Sequence, residues 1–156
     1  AVLVEKTSTP FASIYGTRSN KDDLTLIEGE KLTMKGQAVF KFATEVGASS
    51  IKAVLEKAQI SKDDVDFFVC HQANERILDY IAHKLEISPL LFPKSLSETG
   101  NVSAASIPLL LAKLKREGQF LEKKRVVLTG FGAGLCWASV YMEVGEMHDS
   151  EQTPED

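Results

Sequence analysis

Residues 65–77, Val-Asp-Phe-Phe-Val-Cys-His-Gln-Ala-Asn-Glu-Arg-Ile, limit the possible folds more than any other stretch, because a short apolar run passes directly into an amphipathic one. Asp66 to Cys70 are mostly β-branched, aromatic or small and read as a strand buried on both faces. Beyond it Ile77, Leu78, Ile81, Ala82 and Leu85 recur at helical spacing, with Asn74 as N-cap and Glu75 in the first turn. His71 is thereby set at the carboxyl end of a strand, beside a helix N-terminus. In open α/β sheets ligands bind at that edge, and free helix N–H groups favour negative charge there.

The rest of the chain repeats the alternation. Residues 1–7 read as a strand already under way, which suggests a chain cut from something longer, and residues 10–16 as a connection or short extended piece. Residues 17–31 form a polar surface loop. Thr33 is a candidate N-cap for a long central helix whose inner face is Val39, Phe42, Ala43, Val46, Ser50, Val54 and Ala58. After Pro89, Leu90 to Phe92 suggest a short strand, and the polar loop 98–106 feeds a helix with Ile107, Leu110, Leu111 and Leu114 inward. Gly118 ends that helix, and strands 125–129 and 135–144 are joined by Gly130-Phe-Gly-Ala-Gly134. The expected architecture is α/β, a mixed β-sheet with helices on both faces, over residues 1–144, followed by an acidic tail, 145–156, with too little apolar content to fold.

Composition excludes several function classes. With 156 residues, 44% of them hydrophobic, the chain can bury a core of ordinary size. A net charge of -4 argues against bulk nucleic-acid binding. No segment reaches the roughly 20 apolar residues of a membrane span, and the start lacks the plan of a secretory signal. Cys70 and Cys136 both fall in apolar runs and read as buried free thiols in a reducing compartment, so cytoplasm is the expected location.

Three loops can meet at one sheet edge: 71–74, 99–101 and the glycines around Phe131. An imidazole and a carboxamide, from His71 and Asn101, would be two neutral donors able to polarise a carbonyl and hold the oxyanion formed from it. Taken alone, its neighbours Gly100 and Ser103 favour reading Asn101 as a turn or helix-capping residue. The glycine loop is not a dinucleotide fingerprint, because Leu135 stands at the third glycine and a strand follows. Cys70 neighbours His71, but consecutive strand side chains diverge, so it is expected to be structural rather than nucleophilic.

His71-Gln-Ala-Asn74 with Arg76-Ile77, then Gly100-Asn101 with Ser103 to Pro108, then Gly130 to Gly134 with Trp137-Ala-Ser139, closely resemble the C-terminal half of β-ketoacyl-acyl carrier protein synthase III. Leu32 to Gly36 with Val39-Phe-Lys41 resembles the same family. The resemblance implies a thiolase-like half and a Cys-His-Asn triad, in which His71 and Asn101 hold the thioester carbonyl of malonyl-carrier protein and stabilise the enolate left by decarboxylation. It further implies that Phe131, Gly132 and Ala133 form the gate and oxyanion loop, that Met34, Phe40, Ala43, Asn74 and Ile77 line the substrate or pantetheine channel, and that Arg76, Lys41 and Lys84 face the acyl carrier protein. No tightly bound cofactor is implied; the phosphopantetheine arrives on the substrates, acyl-CoA and acyl carrier protein.

The family's nucleophilic cysteine belongs to an N-terminal half. The resemblance therefore implies a partner in that half, a homodimer when full-length, and no covalent acyl transfer by these residues alone. Ala133 departs from the family's common glycine, and alanine tolerates positive φ poorly. Gln37 and Val102 also depart, which leaves the acyl chain open. Two other readings share the motifs: a synthase III-like acyltransferase of secondary metabolism, and a non-catalytic carrier-protein-binding subunit.

Overall fold

The computed structural model describes residues 9, 11–19, 23–25 and 33–145. The expected strand 1–7 and the tail beyond Gly145 lie outside them. Strands β1 (Phe11–Thr17), β4 (Phe67–Cys70), β5 (Lys124–Gly132) and β6 (Cys136–Val144) form one sheet in the order β1-β6-β5-β4. β4 and β5 run parallel while β5-β6 and β6-β1 are antiparallel, so the sheet is mixed as expected. β2 (Leu24–Thr25) and β3 (Thr33–Met34) pair antiparallel as a second, two-stranded sheet.

Alternation along the strands sends side chains to two helical layers. Phe68 and Cys70 of β4 and Val127 of β5 face α1 (Gly36–Ala58) and α2 (Glu75–Leu85), where Ile51, Val54, Leu78 and Ile81 are fully buried or nearly so. Val69 and Val126 face the opposite way, against Leu110 and Leu114 of α4 (Ser106–Arg116). Helices thus cover both faces.

Local differences from the sequence reading have physical causes. Of the two readings of residues 10–16, connection or short extended piece, the extended one holds, and it grows into a full strand over 11–17 because β6 supplies a continuous antiparallel partner from Phe11↔Met142 to Thr17↔Cys136. Thr33 is not the N-cap of α1: its pairing with Thr25 keeps it extended, and the helix begins only after Lys35, whose side chain makes no cap. Leu90 to Phe92 are not a strand; Pro89 sets the first position of a 3-10 turn, Pro89–Leu91, capped by the Ser88 hydroxyl. Gly130 and Gly132 lie inside β5, and the turn is confined to residues 133–135, with Gly134 at φ +139.

The segment around His71 follows the expectation closely. The ladder of β4 on β5 continues to His71, whose N–H donates to Thr129 O at 2.8 Å. Asn74 caps α2, its side chain accepting the Arg76 N–H at 2.8 Å. Between Leu85 and α4 lies the one-turn helix α3 (Leu96–Thr99), followed by Gly100 at φ +65, which releases the chain into Asn101.

Candidate active site

Because β4 and β5 are parallel, His71 and Gly130 to Gly132 reach the same edge of the sheet, and the N-terminus of α4 is brought there by its packing on β4. A cavity of about 770 Å³ opens at that edge. His71, Asn101, Phe131, Gly132 and Ala133 all line it, so the three loops singled out in the sequence do converge. Its apolar walls include Val39, Phe42, Ile107 and Trp137.

His71 is partly buried, and that burial holds its pKa below the ordinary 6.5, favouring the neutral ring. The Phe131 ring stands edge-on to it, with centroids 5.3 Å apart at 79°. Nδ1 lies 2.7 Å from Ser106 Oγ, and the Ser106 hydroxyl in turn donates to the carbonyl of Ser103. Asn101 Oδ1 accepts the Ser103 N–H at 3.0 Å, which leaves the carboxamide NH2 as the group able to donate into the cavity. Asn101 is therefore both a turn residue and a cavity residue.

Other sequence-predicted positions divide. Met34 lines the cavity, but Ala43 and Ile77 are buried in the core, and Phe40 packs against that core and the Tyr80 ring, so these three do not form its wall. Asn74 is exposed at the α2 cap beside the cavity residue Ala73. Lys41 is exposed in the second turn of α1 and Arg76 in the first turn of α2. Lys84 lies eight residues beyond Arg76, about 12 Å along the helix axis, and lines a separate groove with Lys52 and Lys62.

Ala133 is free of the strain its departure from glycine suggested: among the described residues the non-glycine positions with positive φ are Gln59, Glu86 and Ser103. Cys70 is buried as expected, its thiol pushed up to about 12 chiefly by that burial, with the Thr129 hydrogen bond pulling the other way. Cys136 is a correction: it is exposed, since the first residue of β6 sits on the rim of the cavity rather than under a helix, and its thiol donates to Ala133 O. Neither thiol is hydrogen-bonded to His71.

Two contributors escaped the sequence reading. Ser106 contacts His71 directly, and the Ser103-Ser106 spacing within a helix start was its one local signal. Gln72 is wholly buried with both ends of its amide bonded, and only its place next to His71 hinted at it.

The chain is similar to known proteins in both sequence and fold. The family described as 3-oxoacyl-[acyl-carrier-protein (ACP)] synthase III, C terminal, matches residues 55–144. A β-ketoacyl-[acyl-carrier-protein] synthase III of Lactococcus lactis subsp. lactis is 42% identical over 138 residues, 87% of this chain and 39% of the relative. The crystal structure of 3-oxoacyl-(acyl carrier protein) synthase III from Pseudomonas aeruginosa superposes with a TM-score of 0.83 at 34% identity, covering 88% of this chain and 45% of that one. The corresponding Aquifex aeolicus structure gives 0.82 at 30% identity, over 90% of this chain and 46% of that one. The chain thus spans less than half the length of these relatives. With sequence and fold in agreement, this chain belongs to the family of synthase III C-terminal, thiolase-like domains.

Proposed function

We propose that this chain, with residues 1–144 as its folded unit, supplies the decarboxylating half of a β-ketoacyl-[acyl-carrier-protein] synthase III site that starts fatty acid biosynthesis. The observation that carries the reading is the meeting of His71, Asn101 and the 131–133 loop on one cavity. A malonyl thioester bound there would place its carbonyl oxygen between the Asn101 NH2 and the His71 ring. Loss of CO2 puts negative charge on that oxygen, which the Asn101 NH2, already in place, and the His71 ring once protonated on the cavity side would stabilise. The carbanion then attacks an acyl group carried as a thioester on a cysteine. Neither cysteine in these residues suits that role: Cys70 is sealed, and Cys136 donates to a carbonyl with no base paired to it. The nucleophile is therefore assigned to the N-terminal half of the same synthase, with acyl-CoA as primer donor.

Met34 and Trp137 would border the acyl or pantetheine path, and Lys41 and Arg76, exposed in the N-terminal turns of α1 and α2, would meet the acidic carrier protein. The test replaces the matching segment of the Lactococcus lactis relative with this chain and follows CO2 release from malonyl-carrier protein. His71→Ala and Asn101→Ala are each expected to slow release by roughly 10²–10³-fold, the usual loss for one oxyanion donor. Parental rates from either variant, in a folded and acylated protein, would overturn the reading. Labelled acyl-CoA given to this chain alone should leave no stable covalent label; label on Cys70 or Cys136 would refute the assignment of the nucleophile.

A further inference from the structure

The geometry points to Ser106 as a positioning residue that fixes the proton of neutral His71 on Nδ1 and ties the imidazole to Asn101 from behind. The Ser106 hydroxyl oxygen lies close to two groups, the Ser103 carbonyl oxygen and His71 Nδ1. A carbonyl has no proton to give, so the short contact between the two oxygens is bridged by the hydroxyl's only hydrogen. That leaves Ser106 Oγ solely an acceptor toward Nδ1, and Nδ1 must carry the hydrogen of the 2.7 Å bond.

The chain of bonds then continues through one residue. Ser103, held at φ +54, accepts at its carbonyl from Ser106 and donates its N–H to Asn101 Oδ1. His71 and Asn101 are thus linked by hydrogen bonds on the sides turned away from their unused polar atoms, Nε2 and the carboxamide NH2. Ser106 is 1% exposed, so water does not compete for its hydroxyl.

This departs from the expectation of two neutral donors. Asn101 presents a donor, but Nε2 of the neutral ring is an acceptor. His71 can donate to a thioester oxygen only after a proton has moved onto Nε2, leaving the thiol or water that gave it as the conjugate base. That consequence rests on the function proposed above; the tautomer itself does not.

The test is nuclear magnetic resonance of the ¹⁵N-labelled chain, with long-range proton-nitrogen correlations of the imidazoles recorded at a pH where the ring is neutral. His71 is assigned by the loss of its signals in His71→Gln. The expected result is a protonated Nδ1 and a bare Nε2. In Ser106→Ala, the ratio of the two tautomers should move toward Nε2–H by about fivefold, the effect of one neutral hydrogen bond. A native spectrum dominated by Nε2–H overturns the proposal even if the alanine variant does not fold, and an unchanged ratio in a folded variant overturns it as well. Because no substrate is involved, failure here is distinct from failure of the catalytic reading.

Discussion

Gln72 Oε1 accepts the backbone N–H of Ser95 at 3.0 Å, while its amide NH2 donates to the carbonyls of Cys70 and Pro93 at 2.9 and 3.4 Å. Ser95 O in turn accepts the N–H groups of Glu98 and Thr99 and the Thr99 hydroxyl, so α3 hangs from it and Asn101 follows two residues on. One buried amide thereby ties the loop carrying His71 to the segment that leads to Asn101.

Gln72→Leu fills similar space but leaves the Ser95 N–H and two carbonyls without their partner. Each buried group so orphaned costs about 1–3 kcal/mol, and with partial relaxation the expected loss is about 2–4 kcal/mol in urea unfolding. A loss below about 0.5 kcal/mol, the range of ordinary surface changes, would mean that the tie carries no load.

Stability should also depend on pH through His71. The unfolded ring titrates near 6.5, and burial lowers the folded value below that. Between the two values the unfolded chain binds more protons, so stability falls with falling pH. His71's contribution is intact above the unfolded pKa and is lost as the pH drops through the folded one. A titration of the His71 ring should give a midpoint under 6.5, and His71→Gln should flatten the slope of stability across that interval. A midpoint at or above 6.5 would contradict the burial argument.

What could be read from the residues was what leaves a periodic or capping trace. The strand ending at Cys70, the Asn74 cap and the inner face of α2 are written locally, as are Leu110 and Leu114 of α4. β1 was legible only as one of two readings, connection or extended piece, because its full length as a strand depends on β6, far along the chain. Thr33 looked like a cap until its pairing with Thr25 claimed it. The meeting of His71, Asn101 and Phe131 followed from the strand-edge rule and the family likeness. The bonds from Ser106 to His71 and from Gln72 to Ser95 cross between loops, and such contacts impose no spacing on a sequence.

Gly16 sits opposite Trp137 in the β1-β6 register, and a Cβ there would lie 2.8 Å from the indole Cε2. The indole is rigid and already packed edge-on to Phe42, with centroids 5.9 Å apart, so it must shift as a unit. Gly16→Ala is expected to cost about 1–3 kcal/mol by overpacking. Trp137 is the chain's single tryptophan, so its emission should shift in the folded variant. Unchanged emission and stability would show that the strand pair absorbs a methyl group without moving the ring.

The two thiols should separate cleanly in reactivity. Cys136 is exposed, whereas Cys70 is 1% exposed and its pKa is pushed from 9.0 up to about 12. Thiolate is the reactive form, so a folded chain should take up one equivalent of a thiol reagent quickly and the second only on unfolding. The same shift fixes a sign for stability. A thiol whose folded pKa lies above its unfolded value contributes stability fully below about 9, and that stability is lost as the pH rises from there toward 12. Unfolding midpoints should therefore fall across that interval, and less steeply in Cys70→Ala. Rapid modification of both thiols in the folded chain would show that the core around Phe68 and Thr129 opens far more readily than its packing indicates.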